Sequence, residues 1–153
     1  MPSKGPFEVS GLIALLVSLT LSGCVRNLPK QELVCNLIRK QELTIKKYCH
    51  IFNLSPRVYV SVVYGELFNN LDVYDDFDEV RARIGFDPSI GFSQIRLSTS
   101  VWLEDNYCLN GFIKKSKTKK ELIDKLVNDD SNIMYSVLYV SVIESTIKKK
   151  HIP

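Results

Sequence analysis

Two stretches of the chain, residues 57–69 and 132–149, are apolar around most of a helical circumference, and this restricts the fold more than any other feature. In the first, Val58, Val60, Val62 and Val63 carry strand propensity. The residues ahead of them, Asn53-Leu54-Ser55-Pro56, read instead as a helix start, with serine at the N-cap and proline in the first turn. The run is also longer than an ordinary strand. In the second stretch Val137, Leu138, Val140, Val142 and Ile143 leave almost no polar face. A helix of that kind has to be covered by other elements. A chain of 153 residues has room for one core of this sort and not for two. The expected fold class is therefore mainly α, in a single helical domain.

The remaining segments supply the cover. Residues 30–51 place Leu33, Val34, Leu37, Ile38, Ile45, Tyr48 and Cys49 largely three and four apart, which predicts one amphipathic helix. Residues 96–106 predict a short helix whose Trp102 belongs to the core or to a sugar-stacking surface. Residues 118–127 predict another, with Leu122, Ile123, Leu126 and Val127 inward. Asp72, Asp75, Asp76, Asp78 and Glu79 form an acidic run that reads as a solvated loop or helix start, lacking the glycine and terminal glutamate of an EF-hand. The lysine-rich stretch 114–120 reads as a solubilising loop, or as a contact for anionic polymer or lipid headgroups. A net charge of +3 without a basic stripe argues against nucleic acid as a partner.

Residues 1–23 read as a signal peptide, because the apolar run 11–21 is too short to span a bilayer. The run ends in Leu21-Ser22-Gly23-Cys24, which resembles the bacterial lipobox. That resemblance implies lipidation at Cys24, a tether over residues 24–29 and a domain over residues 30–150. The expected location is the bacterial cell envelope, held to the membrane by acyl chains. In a Gram-negative cell Val25, in place of an aspartate, points to the outer membrane. Cys35, Cys49 and Cys108 remain, and are read either as two paired and one free or as buried thiols. With two histidines and no CxxC, no metal and no cofactor is expected.

The chemistry is concentrated in Glu66, a carboxylate amid apolar residues at the end of the first buried helix, and in the loop Asp87-Pro88-Ser89-Ile90-Gly91-Phe92-Ser93-Gln94-Ile95. Burial there would keep a proton on Glu66, as a general acid requires; a capped structural carboxylate is the other reading. Glu66, then Gly91-Phe92-Ser93-Gln94-Ile95, then Asn132-Ile133 opening a later helix resemble, in order, three motifs of the lysozyme-like domain of lytic transglycosylases. The resemblance covers residues 55–147. It departs from the family in Leu67 after the glutamate, in Phe92-Ser93, in Asn128-Asp129, and in a longer gap after Glu66. The Ala-Tyr-Asn-x-Gly motif is not found after the last matched helix, so the domain is expected to be shortened at its C-terminus and to lack one wall of its groove.

The resemblance implies a lytic transglycosylase acting on peptidoglycan glycan strands, with Glu66 as both acid and base and a 1,6-anhydro-muramoyl product. It implies substrate contacts from Ser89, Gly91 and Gln94, and from Asn132 and Tyr64. For Ser89 and Asn132 a role in capping or fixing the backbone is an equal reading, and for Tyr64 core packing is the stronger one. Two other readings are a lysozyme-type hydrolase, with Asp72, Asp75 or Asp76 as second carboxylate, and a non-catalytic glycan-binding envelope lipoprotein.

Overall fold

A computed structural model describes residues 29–70, 75–108, 111 and 113–150, with backbone alone for residues 75–77. The lipobox-like run 21–24 with its Cys24, and the carboxylates of Asp72, Asp75 and Asp76, lie outside the described residues. The fold is mainly α in one domain. Its elements are α1 (Lys30–Lys40), α2 (Glu42–Ile51), α3 (Pro56–Asn70), α4 (Asp75–Arg83), the two-residue strands β1 (Ser89–Ile90) and β2 (Ile95–Arg96), α5 (Leu97–Tyr107), α6 (Lys119–Val127) and α7 (Asp129–Lys150).

The Ser55-Pro56 start signal acts where the sequence predicts. Helix α3 opens at Pro56, directly after Ser55. Helix α6 opens after Thr118, whose hydroxyl accepts the backbone N–H of Glu121 while the Glu121 carboxylate accepts the N–H of Lys117. These reciprocal bonds satisfy orphan donors of the first turn. Elsewhere the predicted boundaries shift. The single helix expected over residues 30–51 is broken at Gln41, whose ψ of 8° leaves the helical range. The side-chain amide of Gln41 donates to Asp129 at 2.6 Å, so the break fastens α1 and α2 to the start of α7. Helix α7 in turn begins at Asp129, three residues ahead of Asn132.

Helix α7 lies between two apolar clusters. Ile133 and Val137 join Val34, Ile45, Tyr48, Cys49, Tyr59, Val63 and Leu67 from α1–α3, and Leu54 from the turn between α2 and α3. Tyr135 and Leu138, on another face, join Ile90, Ile95, Leu97, Leu103, Ile113, Leu122, Ile123 and Leu126. Phe52 and Met134 touch both clusters. Each large aliphatic side chain buried in this way contributes roughly 1.5–3 kcal/mol. The cover over the two apolar helices is incomplete, contrary to the sequence expectation. Val58 and Val62 on α3, and Tyr139, Ile143 and Ile147 on α7, remain substantially exposed. Trp102 is 43% exposed and meets Tyr107 edge to face, so it is a surface residue and not core. Among the described residues no helix is long and apolar enough to cross a membrane.

Candidate functional site

The loop over residues 87–95 is a tight hairpin. Ser89 pairs with Arg96 and Ile90 with Ile95, and the turn between them carries Gly91 at φ +71° and Gln94 at φ 51°. The Gly91 carbonyl accepts both the backbone N–H of Gln94 at 2.9 Å and its side-chain amide at 3.1 Å. A side chain at Gly91 would stand 2.3 Å from the Leu126 carbonyl oxygen and 2.4 Å from Asn132 Nδ2. Glycine is therefore required twice here, by its dihedral and by the close approach of the α6–α7 junction.

Asn132 is the clamp. It is fully buried; its amide nitrogen donates to the carbonyls of Ile90 and Leu126, and its amide oxygen accepts the Ser93 N–H, each at 2.8 Å. Both amide donors and one acceptor site are thus used. Gly91 and Asn132 consequently seat the hairpin on the α6–α7 junction and are not among the residues lining the groove that holds Glu66. For Asn132 this selects the fixing role over sugar contact, and for Gly91 it replaces the expected approach to a glycan by an approach to α7. Tyr64 is also outside the groove; it is half-buried, with its ring stacked on Phe68.

Glu66, Ser89 and Gln94 do come together. They line one groove of about 320 Å³ between α3, the hairpin and α7. Its floor is a chain of hydroxyls. Ser136 Oγ donates to the Ile133 carbonyl at 3.0 Å, so its one proton is spent. The Tyr59 hydroxyl, 2.7 Å away, therefore donates to Ser136, and Ser93 Oγ at 2.7 Å donates to Tyr59. Burial pushes the Tyr59 hydroxyl up to about 12, against the opposing effect of the bonds with Ser136 and Ser93, so it remains a protonated link. Val62, Val63, Ile95 and Val140 give apolar wall, and Arg96, Thr99 and Tyr139 complete the lining.

One expectation changes at this point. Glu66 is exposed and not enclosed by apolar side chains; Asn70 Nδ2 lies 3.3 Å from its Oε2. Tyr139 of α7, 37% exposed, also lines the groove. A readable signal for Tyr139 was its spacing. Asn132, Ser136 and Tyr139 stand four and three apart, which sets one polar stripe along an otherwise apolar helix.

A second carboxylate, Glu104, was not singled out by sequence. It is 3% exposed and accepts the Tyr135 hydroxyl, the Ser116 N–H at 2.8 Å and hydroxyl at 2.7 Å, and Lys125 Nζ at 3.2 Å. Burial alone would raise its carboxyl, but the bonds from Tyr135, then Ser116, then Lys125 outweigh it and hold the group below its usual range. This network ties α5 to the 114–117 loop, α6 and α7.

Cys35, Cys49 and Cys108 are unbridged thiols, and burial pushes that of Cys49 up to about 11, which suits a packing role. Among the described residues no three His, Cys, Asp or Glu side chains gather as a metal site. The chain matches no protein-family model, no curated protein and no solved structure.

Proposed function

We propose that the groove binds a peptidoglycan glycan strand and that Glu66 cleaves it as a lytic transglycosylase. The observation that carries this reading is the convergence of Glu66, Ser89 and Gln94, from separate stretches of chain, on one groove with a hydroxyl floor and a tyrosine wall. A glycan offers hydroxyls and acetamides to Gln94, Ser89 and Thr99, and a sugar face to Tyr139. Glu66 is exposed in the free protein, where a strand lying in the groove can reach its carboxyl.

In the reaction Glu66 gives its proton to the glycosidic oxygen as the bond to the anomeric carbon breaks. The resulting carboxylate then takes the proton of the muramoyl C6 hydroxyl, whose oxygen closes on the anomeric carbon. One proton enters and one leaves, with no outside water and no cofactor. The nucleophile belongs to the reacting sugar, so proximity does the work that an activated water does in paired-carboxylate hydrolases. The lipobox motif at Cys24 supports delivery of this domain to the cell envelope on acyl chains.

Purified glycan strands incubated with the protein and with Glu66→Gln test the reading. Anhydro-muramoyl ends from the first and none from the second are expected, and no release by the native protein counts against it. The exposure of Glu66 favours a second reading, a glycan-binding protein without turnover. Sedimentation with insoluble peptidoglycan that Glu66→Gln leaves unchanged, with no soluble product, would favour that alternative.

A further inference from the structure

Among the side chains lining the groove two are charged, Glu66 and Arg96. Arg96 has a fixed backbone. It pairs with Ser89 across the hairpin, stands in extended conformation at the N-cap of α5, and its carbonyl accepts Ser100 Oγ at 3.2 Å. Its guanidinium is exposed, and among the described residues no ion pair or side-chain hydrogen bond engages it. The carboxylate it influences, Asp87, is already taken by the Ser98 N–H and hydroxyl, both at 2.7 Å. Those bonds hold Asp87 below its usual range, and Arg96 adds only a lesser share.

Arg96 lines the same groove as Gln94, and a planar fork of donors engaged by no ion pair or side-chain hydrogen bond among the described residues matches a carboxylate. A peptidoglycan strand differs from neutral polymers of N-acetylglucosamine in this respect. Every second sugar carries a lactyl ether that ends in a free carboxylate or in a peptide bearing carboxylates. We propose that Arg96 anchors that acidic substituent and so sets the phase of the strand, bringing the muramoyl sugar and not its neighbour to Glu66. The proposal rests on the glycan reading of the groove and adds to it a basis for choosing among glycans. Arg96 acts here as a specificity residue, apart from the proton transfers.

Binding measured in a Glu66→Gln background, which stops turnover, provides the test. The probes are strands stripped of peptide, strands with intact peptide, the stripped strands after amidation of their carboxyls, and a chitin oligomer. We expect the acidic strands to bind about tenfold more tightly than the two neutral probes. Added Arg96→Gln should erase the difference, Arg96→Lys should restore part of it, and raised salt should narrow it. Preference for the stripped or the peptide-bearing strand identifies which carboxylate is held. Equal binding of acidic and neutral probes, or a preference that survives Arg96→Gln, overturns the role of Arg96 alone. Failure to bind any glycan overturns the groove reading and this proposal with it.

Discussion

Glu66 and Glu104 are both glutamates on largely apolar helices, and the fold treats them in opposite ways. Glu104 is enclosed and receives donors from Tyr135, Ser116 and Lys125. Glu66 stands at a rim with Asn70 beside it and an open groove before it. A carboxylate with its acceptor sites filled is bound to one state, and its energy goes into holding helices together. A carboxylate with sites left over can accept a ligand's donor or lend a proton. Apolar neighbours in sequence do not separate the two cases; partners do.

The largest effect expected from this contrast is on activity. Glu66→Gln should lower product release by about 10²–10⁴-fold, the range of a lost general acid. Its thermal midpoint should stay near that of the native protein, since an exposed side chain is removed. Glu104→Gln should reverse the pattern: a loss of about 2–4 kcal/mol in urea unfolding, with activity per folded molecule retained. If Glu104→Gln abolished turnover without loss of stability, the contrast would be broken.

Gly91→Ala tests the link between the two regions, because the hairpin that carries Ser89 and Gln94 is seated on the α6–α7 junction. A Cβ there meets the Leu126 carbonyl and Asn132, and the left-handed dihedral adds its own strain. A loss of about 3 kcal/mol is expected, together with weaker glycan binding by the folded fraction. A variant of native stability would show that the hairpin is not seated as described.

The smallest effect concerns pH. Glu104 and Asp87 both have carboxyls held below their ordinary values of 4.5 and 3.8. For such groups the unfolded chain takes up protons first as pH falls. Their contribution is therefore complete above the ordinary values and is lost on acidification towards the folded ones. Urea midpoints should decline below about pH 4.5, and less steeply in Glu104→Gln. An unchanged slope in that variant would remove Glu104 from the account.

Much of the fold was legible because it follows from pattern. The Ser55-Pro56 start, the two apolar stretches and the spacing of apolar residues elsewhere place most helices from local chemistry. The break at Gln41 was not legible, since its cause is a bond to Asp129, far along the chain. For the candidate site, Glu66, Ser89 and Gln94 were found together through the order of motifs. The exposure of Glu66 and the seating of Gly91 on the α6–α7 junction were not, because both depend on packing that sequence spacing does not show, whereas the fixing role of Asn132 and the packing of Tyr64 were already among the readings of the sequence. Tyr139 and Arg96 escaped for a related reason. One sits in an apolar helix and the other follows a motif without belonging to it, and only the packing brings both to the groove that Glu66 lines.

The central claim, that Glu66 and a hydroxyl of the sugar itself break the strand, is tested most directly by running the reaction in oxygen-18 water and weighing the released ends. Anhydro ends free of label are expected, because no solvent oxygen enters the product. Reducing ends carrying one labelled oxygen per cut, or no release at all, would contradict it.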